Sequence, residues 1–560
     1  MRTLRGVAAS PGTAIGAAYV YRPDVYDVPT GEATDPDKGI AQLAAALDAV
    51  AADLDDAAAS ATGAARDILD AQAAIARDPA LRAAAEPAIR HRAQPARAIL
   101  DAGERFAREL EATGNDYLAA RAPDVRHLCD LAARALAGAP PRTPPHAIAP
   151  CILIADDLTP ADTIGLDPTL VRGIATSGGT RTSHTSVIAR GLGIPAVVGV
   201  RGLLDSVEHG ATVGIDGRIG RIVIDPSTEI VEQLTASGEA ERVRHERLRA
   251  ASGAGPTTTA DGCRIEVAAN VRGVEELRAA LAEGAEAVGL LRTELLYIDR
   301  DRPPTQAEQE ALLRGLHELL GRDRRLLVRT FDIGADKQVP FLPARPERNP
   351  ELGVRGIRLA RVHPDLLDTQ LRAVAATSSL GPTAVMAPMV ATLEEVRWFV
   401  SRCRDAGIPS TVELGVMVEV PAMALMAAEL APLVDFVSIG TNDLTQYLCA
   451  ADRRHAGLSA LHDAFNPAVL RAVDLVCRGA GDTCWVGVCG EAASDPGWAL
   501  LAIGLGVSEL SMQGVAIPEV RAAIRATTRE HCRDAARDAV LASDADTVRA
   551  IAQRLIKEQQ

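Results

Sequence analysis

Eight short apolar segments recur from residue 262 onward, and they constrain the fold of this chain more than any other feature. They read IEVAAN, AVGLLR, LLVRT, AVMAPM, GVMVEV, FVSIG, WVGVCG and ELSM. Eight such strands with helical segments between them are typical of a TIM-type (β/α)8 barrel, whose active site is built at the C-terminal ends of the strands. We therefore expect a barrel over residues 262–560.

Polar residues lie at the C-terminal ends of several of these predicted strands or just after them. Each one alone could be a solvated strand end, but a shared position on one face of a barrel indicates a functional site. The residues concerned are Arg292, Arg329, Glu419, Asn442, Asp443 and Cys489.

The carboxylates in this set, Glu419 and Asp443, are hard oxygen ligands on neighbouring strands. No histidine or cysteine obviously joins them, so the pair suits Mg²⁺ or Mn²⁺ rather than zinc. Two carboxylates on one divalent ion are typical of sites for phosphorylated substrates.

Arginines near the same strand ends can clamp an anionic phosphoryl group by forked hydrogen bonds that lysine supplies less well. Arg292, Arg329 and Arg453 are the candidates. Arg355, in NPELGVRGIRLA, is a further candidate, with an exposed surface arginine as the alternative interpretation.

The first half of the chain has a different pattern of apolar and polar residues. Residues 1–22 alternate short apolar pieces with glycine, which indicates strands at a sheet edge. Apolar residues at three- and four-residue spacing from about 36 to 138 indicate packed amphipathic helices. After a proline-rich break, the segments CILIA, VRGIAT, AVVGV and ATVGID predict further strands up to about residue 226.

A charged helical stretch and the glycine-containing segment SGAGPTTTADG connect the two halves and indicate a flexible joint. We therefore expect an α/β domain at 1–22 and 140–226, a helical insert at 23–139, a linker helix and hinge at 227–261, and the barrel at 262–560.

One histidine, His184, lies within GGTRTSHTSVIAR, among hydroxyls and glycines just before an apolar run. Imidazole is nucleophilic near neutral pH, and backbone N–H groups at a helix start receive phosphate oxygens, so this context favours a phosphate-carrying histidine. The alternative is a Gly/Ser/Thr turn whose histidine caps a helix.

Composition limits the classes of partner. The net charge of −15 over 560 residues argues against nucleic acid. No apolar run of about 18 residues could span a bilayer, and the N-terminus lacks the apolar helix of a signal peptide, so we expect a cytoplasmic protein without membrane insertion. The nine cysteines are scattered without C-x-x-C spacing, which predicts reduced thiols.

Taken in order, the motifs resemble one family over essentially the whole chain: Enzyme I of bacterial phosphotransferase systems, the phosphoenolpyruvate–protein phosphotransferases. The matching pieces are VAASPGTAIG, DILDAQAAIARDP, GGTRTSHTSVIARGLGIPAVVG, VGLLRTELLYIDR, VRTFDIGADK, NPELGVRGIRLA, GVMVEVPA, FVSIGTNDLTQYLCAADR and VCGEAASDP. One departure concerns Thr180, which stands where the family usually has the second of two glycines before the histidine.

The resemblance implies a role for each candidate residue. His184 would carry the phosphoryl group, and Cys489 would be the acid that protonates the enolpyruvate leaving group. Glu419 and Asp443 would ligate Mg²⁺. The substrate phosphoenolpyruvate would be bound by Arg292, Arg329, Arg453, Asn442 and Asp443, with Arg355 as the further candidate.

The resemblance also implies partners. The helical insert would bind the carrier protein HPr, whose own histidine receives the phosphoryl group in the first step of sugar uptake, and Gln72 with its neighbours hints at the docking face. The barrel would form a homodimer.

Three rival interpretations remain. A pyruvate phosphate dikinase or phosphoenolpyruvate synthase is similar in the histidine loop and barrel, but it needs an ATP-binding module, and no P-loop is present in the first 140 residues. A regulatory scaffold would be expected to have lost Arg292, Glu419, Asp443 or Cys489. A metal-dependent barrel lyase leaves residues 1–226 unexplained.

Overall fold

A computed structural model describes the chain apart from a set of short segments. Those segments are 23–25, 61–68, 70–71, 113–121, 141–144, 146, 159, 164–165, 180–182, 253–254, 298–299, 301, 335–338, 340, 343–346, 454–457, 459–460 and 558–560. The chain divides into two compact units, residues 1–244 and 245–560.

The N-terminal unit is built on an eight-stranded mixed sheet. Its strands are β1 (Arg2–Arg5), β2 (Val7–Ser10), β3 (Thr13–Val20), β4 (Cys151–Ala155), β5 (Val171–Thr176), β6 (Ala196–Val198), β7 (Thr212–Asp216) and β8 (Arg221–Ile224). Their order across the sheet is β1-β8-β7-β3-β4-β5-β6-β2. β1 and β2 therefore form the two edges, as expected for the first residues, but β3 lies inside the sheet.

In the described part of the insert between β3 and β4, four long helices pack around a core of their own. They are α1 (Pro36–Ser60), α2 (Pro79–Arg90), α3 (Pro95–Ala112) and α4 (Ala122–Leu136). α2 starts where Asp78 caps it by accepting a hydrogen bond from the Ala80 N–H at 2.8 Å, with Pro79 at the first helical position. Leucine, isoleucine and alanine side chains fill the core between the helices. The predicted helical insert is present.

Shorter helices follow the strands of the sheet. They are α5 (Pro160–Thr163), α6 (His184–Leu192), α7 (Leu203–Ser206) and the long α8 (Thr228–Ser252), within which the chain passes from the first unit to the second. Gly193 ends α6 in the left-handed conformation, at a φ of 68°, which glycine adopts without strain.

Eight parallel strands close into a barrel in the second unit. They are β9 (Glu266–Val271), β10 (Ala287–Arg292), β11 (Leu326–Arg329), β12 (Thr383–Ala387), β13 (Glu413–Val418), β14 (Phe436–Ile439), β15 (Trp485–Val488) and β16 (Glu509–Met512), and β16 pairs with β9 to close the ring. All eight coincide with the predicted apolar segments. The predicted fold class is therefore confirmed: an α/β multidomain chain with a helical insert, followed by a C-terminal (β/α)8 barrel.

Helices surround this barrel. The α-helices are α9 (Val274–Ala282), α10 (Gln306–Leu320), α11 (Ile357–Val362), α12 (Pro364–Thr377), α13 (Leu393–Asp405), α14 (Pro421–Leu425), α15 (Ala427–Leu430), α16 (Thr441–Cys449), α17 (Pro467–Ala480), α18 (Pro496–Leu505), α19 (Ile517–Ala526), α20 (Arg529–Leu541) and α21 (Ala545–Lys557). Short 3-10 helices lie at Glu294–Leu296, Pro350–Leu352, Ser378–Leu380, Ala431–Leu433, Glu491–Ser494 and Gly514–Ala516.

A partly buried charge cluster closes the barrel at the N-terminal ends of its strands. Arg325 forms ion pairs with Glu509, with Glu266 at 3.2 Å and with Glu413 at 3.5 Å. Its guanidinium also lies 4.1 Å from the ring centroid of Trp485. We call Arg325 and these three glutamates the Arg325 cluster. It leaves the opposite end of the barrel, where the predicted site residues lie, as the mouth.

Two further expectations can be compared with the structure. All nine cysteines are free thiols, as predicted. Among the residues that the structure describes, no helix is long and apolar enough to cross a bilayer. The proposed domain boundaries themselves stay a prediction.

Candidate functional site

Two of the predicted arginines lie side by side at the barrel mouth. Arg292 ends β10 and Arg329 ends β11, and the two are paired in the register of these strands. Arg329 is buried and donates to Glu294 at 2.7 Å, with Asp332 at 3.3 Å. Half-buried Arg292 has no ion pair with any described residue. Its guanidinium is thus the more available of the two for an anion.

Arg355 is completely buried, which excludes the interpretation of an exposed surface arginine. Its guanidinium donates to Asp332 at 2.8 Å, pairs with Glu351 and lies 3.5 Å from Asp443. Arg453 also faces Asp443, at 3.7 Å. Arg355 and Arg453 therefore meet at one of the two predicted metal ligands.

The other predicted metal ligand, Glu419, follows β13 and is 1% exposed. Its Oε1 accepts a hydrogen bond of 2.6 Å from the Met389 N–H, and Met389 adopts a φ of 60°, which is uncommon for a residue with a side chain. Burial raises the pKa of Glu419 to about 8, and the nearby Asp443 carboxylate adds to the shift. A nearby cation would counter both effects.

The donor set fits a magnesium-type ion. Among the described residues, no group of three or more histidine, cysteine or acidic side chains is arranged to hold a metal. Mg²⁺, however, is usually bound by one or two carboxylates together with waters and substrate phosphates. Glu419 and Asp443 supply those two carboxylates at the mouth.

Cys489 directly follows β15 and is buried at the same mouth. Burial raises the pKa of its thiol to about 12, although the Ser438 hydroxyl beside it opposes the shift. At neutral pH the thiol therefore keeps its proton, as an acid must.

Hydrogen bonds fix the main chain around this thiol. The Cys489 N–H donates to the Ile439 carbonyl at 3.1 Å. Asn442, a neighbour in the site, accepts from the Glu491 N–H at 3.0 Å.

Several residues that contact the predicted set were not predicted. Glu294, Asp332 and Glu351 pair with the arginines of the mouth. Asn270, the last residue of the predicted strand IEVAAN, donates to the Cys489 carbonyl at 3.0 Å. Its position at a strand end was the same signal that identified Arg292, and it could have been used.

A cavity of about 640 Å³ is lined by Glu351 and by Met389, the residue whose N–H holds Glu419, but by none of the predicted site residues themselves. Its walls include Gln446 and Tyr447 of α16. Gln446 accepts from the Arg453 N–H at 3.0 Å, and the Tyr447 hydroxyl donates to the Glu351 carbonyl at 2.5 Å. The cavity wall thus supports Arg453 and the segment that carries Glu351.

His184 lies in the other compact unit, as the first residue of α6, after Ser183 in an extended conformation. Next to it, the Thr185 hydroxyl donates to the Leu158 carbonyl at 3.3 Å and so anchors the helix start. The side chain of His184 and the residues Thr180 and Thr182 lie outside the described part of the chain. The position of His184 at a helix start is compatible with both interpretations of the sequence.

The suggestion that Gln72 marks a docking face is wrong. Its side chain is fully buried in the helical insert, where Nε2 donates to Asp124 at 3.0 Å. Its amide bonds to a partner 52 residues away in the chain and is not available to a docking protein.

Comparison with known proteins gives three matches to domain families, which together span most of the chain. Residues 5–121 match the N-terminal domain of PEP-utilising enzymes, residues 148–220 match their mobile domain, and residues 246–529 match their PEP-binding domain.

Whole-length relatives give the same result. A protein of Streptomyces coelicolor is 40% identical over 565 residues, covering 99% of each chain, and one of Haloferax volcanii is 40% identical over 579 residues, covering 100% of each. A Bacillus subtilis protein is 35% identical over 546 residues and 95% of each chain. All three are named phosphoenolpyruvate-protein phosphotransferase. With identity of this level over the full length and all three domain types in order, the chain belongs to the PEP-utilising enzymes, in the phosphoenolpyruvate-protein phosphotransferase (Enzyme I) family.

Proposed function

We propose that this protein takes the phosphoryl group of phosphoenolpyruvate onto His184 and passes it to the histidine of the carrier protein HPr, the first step of sugar uptake by a phosphotransferase system. The observation that supports this most is the composition of the barrel mouth. Arginines, two carboxylates and a protonated thiol lie at or near the C-terminal ends of the barrel strands, and this is the set of groups that transfer from an enol phosphate requires.

The arginines bind the anionic substrate in this proposal. Arg292, without an ion pair among the described residues, takes the phosphoryl oxygens or the carboxylate by forked hydrogen bonds. Arg329, Arg355 and Arg453 are held in place by Glu294, Asp332 and Asp443. Asn442 and the start of α16 complete the site. These ion pairs fix the guanidinium groups before the substrate arrives, which lowers the cost of ordering them.

Glu419 and Asp443 are the residues that hold Mg²⁺ or Mn²⁺. When bound, such an ion neutralises the negative charge that gathers on the transferring phosphoryl group. The Met389 N–H donates to Oε1 of Glu419 and so fixes the carboxylate that would hold the ion.

Cys489 supplies the proton in this proposal. The bond between phosphorus and the enol oxygen breaks as phosphorus bonds to the His184 imidazole, and the released enolate takes the Cys489 proton at C3 to become pyruvate. The thiolate then recovers a proton from water. Because the pKa of Cys489 is raised to about 12, the thiol is protonated before each turnover.

His184 has to meet both the barrel and the carrier protein, so we place a hinge in the linker at 227–261. In this scheme the domains are those expected from the sequence: 1–22 with 140–226 carrying the histidine, 23–139 binding HPr, and 262–560 binding phosphoenolpyruvate. The helical insert supports this division because it has a core of its own.

We also propose a cytoplasmic homodimer formed through the barrel. Exposed leucines beside the mouth support this: Leu352 is 62% exposed and Leu425 is 71% exposed. Large apolar side chains exposed next to a functional opening are typical of surfaces that a partner covers.

Intact-mass analysis after incubation with phosphoenolpyruvate and Mg²⁺ tests the first half-reaction. We expect one acid-labile phosphate in the wild type and none in His184→Ala. His209→Ala is the matched control, because His209 is an exposed histidine of the same unit, and it should be phosphorylated normally. Loss of the phosphate on adding HPr tests the second half-reaction. A wild type that gains no phosphate, or a His184→Ala variant that does, refutes the proposal.

A further inference from the structure

The main-chain carbonyl of Cys489 is held by a side chain from two strands away. Asn270 ends the inward-facing row of β9, and its Nδ2 donates to the Cys489 carbonyl at 3.0 Å. Between the two strands lies β16, whose Ser511 hydroxyl donates to Asn270 Oδ1 at 2.7 Å. Three neighbouring strands are thus joined through one amide.

The strand ladder explains why this bond is needed. β15 and β16 are paired at Gly487 with Glu509 and at Val488 with Leu510, and the described ladder stops there. Cys489 follows the last paired residue. On its other side, the Cys489 N–H is held by the Ile439 carbonyl. The amide of Asn270 therefore fixes the side of Cys489 that the ladder leaves open.

We infer that Asn270 is a positioning residue that sets the direction of the Cys489 thiol at the barrel mouth; this inference rests on the proposed function, in which Cys489 is the proton donor. Asn270 holds the main-chain carbonyl of Cys489, so a rotation of the main chain there changes the direction of the side chain, whose Sγ lies 3.8 Å from the Ile439 carbonyl. Ser511 is fully buried and locks the amide of Asn270 with its oxygen toward β16 and its N–H groups toward β15.

Phosphoryl transfer and protonation depend on Asn270 to different degrees. Transfer breaks the bond from phosphorus to the enol oxygen and forms one to the imidazole nitrogen, with charge held by the arginines. Protonation moves the Sγ proton to C3 of the enolate and leaves a thiolate, which takes a proton from water. Only the second step requires the thiol to face C3, and displacing a reacting group by about 1 Å costs roughly a hundredfold in rate.

Asn270→Asp tests the inference in the full-length protein, because it keeps the shape and the acceptor but loses the donor N–H. Exchange of the pyruvate methyl protons with D₂O, followed by proton NMR with Mg²⁺ present, measures proton transfer. Rapid-quench phosphohistidine formation measures phosphoryl transfer. We expect exchange to fall by about tenfold or more and phosphohistidine formation to change by less than about twofold.

A double-mutant cycle with Cys489→Ala separates positioning from a general structural effect. In the Cys489→Ala background, Asn270→Asp should have no further effect on exchange. Ser511→Ala keeps Asn270 and its bond to Cys489 but frees the amide to rotate. We therefore expect the exchange rate to fall less than in Asn270→Asp. It also serves as the second variant if Asn270→Asp does not fold.

Asn466→Ala is the matched control. Asn466 also donates to a cysteine, Cys449 at 3.6 Å, and it caps α17, so its loss weakens the barrel without touching Cys489. It should leave the exchange rate unchanged. The inference is overturned if Asn270→Asp exchanges at the wild-type rate, slows both steps equally, or has the same effect with and without Cys489. A wild type that forms no phosphohistidine instead refutes the proposed function.

Discussion

The guanidinium of Arg355 lies 2.8 Å from the carboxylate of Asp332, and both side chains are almost completely removed from water. Asp332 also lies 3.3 Å from Arg329. One acidic side chain thus supports two arginines of the mouth, and it does so from a position where water cannot replace it.

Replacing Asp332 by alanine should therefore affect both stability and substrate binding. Removing a buried charged hydrogen-bond partner costs about 2–3 kcal/mol, and we expect that loss in the free energy of unfolding measured with urea. The KM for phosphoenolpyruvate should rise as well, because Arg329 and Arg355 lose their common support. Asp405→Ala, on the outer helical layer, is the control. Unchanged stability would show that the arginines are held by their other partners.

Replacement by lysine should have different effects at Arg292 and at Arg329, the two arginines paired in the barrel register. Arg292→Lys removes forked hydrogen bonds to the substrate only, so we expect KM to rise by about ten- to a hundredfold at unchanged Tm. Arg329→Lys also disturbs the ion pairs with Glu294 and Asp332, so its Tm should fall in addition. Steady-state kinetics and calorimetry on both variants decide this. Equal losses of Tm would contradict the assignment of Arg292 as the available anion site.

Cys489 should resist alkylation. Because burial raises the pKa of its thiol to about 12, little thiolate exists near neutral pH, and iodoacetamide reacts only with thiolate. Cys263, which is partly exposed, serves as the internal comparison. Peptide mapping after labelling of the native protein should find Cys263 modified and Cys489 unmodified. The reverse order of labelling would mean that the thiol at the mouth is activated rather than held protonated.

The Arg325 cluster should make the barrel less stable at high pH. Burial raises the pKa of Glu509 to about 8, although Arg325 opposes the shift. A group whose pKa is raised on folding contributes stability that is complete below its unfolded pKa of about 4.3 and is lost as the pH rises through the folded value. Between about pH 6 and pH 9, wild-type stability should therefore decline more steeply than that of Glu509→Gln, by about 1–3 kcal/mol over the interval.

Urea unfolding at several pH values measures that slope. Glu530→Gln, a change to an exposed glutamate of α20, is the matched control and should follow the wild type. Parallel pH profiles for the wild type and Glu509→Gln would show that Glu509 does not titrate in this range.

The exposed leucines beside the mouth lead to a prediction about assembly. Leu425→Asp should shift the protein toward monomer, because a charge in an apolar interface must be desolvated. Leu541 is similarly exposed, at 76% against 71% for Leu425, but it lies at the end of α20, so Leu541→Asp should leave assembly unchanged. Size-exclusion chromatography with light scattering measures both. Dissociation by Leu541→Asp alone would place the interface elsewhere.

The barrel could be predicted because each strand is an apolar run of four to six residues, and a run of that kind is visible without its neighbours. The mouth could be predicted for the same reason, since Arg292 and Cys489 stand directly at strand ends. The supporting acids could not. Glu351 reaches Arg355 from the short 3-10 helix Pro350–Leu352, and Asp332 is one acidic residue among many until the fold brings it to the guanidinium groups.

Gln72 and the Arg325 cluster differ from the sequence-based prediction for the same reason, which is that their partners are distant in the chain. The sequence suggests that Gln72 belongs to a docking face, whereas its side chain is buried and bonded to Asp124 of α4. The Arg325 cluster was not predicted because its four members stand at or next to the starts of different strands, where charges are normally solvated. Pairings between residues so far apart in the chain depend on packing rather than on local pattern.

The Arg325 cluster also bears on how this barrel can change over evolutionary time or be reused as a scaffold. Its members come from widely separated parts of the chain, and all three glutamates share one guanidinium, so the loss of Arg325 leaves three carboxylates without their common partner. Substitutions there are therefore expected to occur together or not at all, while the loops at the mouth can vary singly. An engineer grafting a new activity onto this barrel should redesign the mouth and transplant Arg325, its three glutamates and Trp485 as a single block.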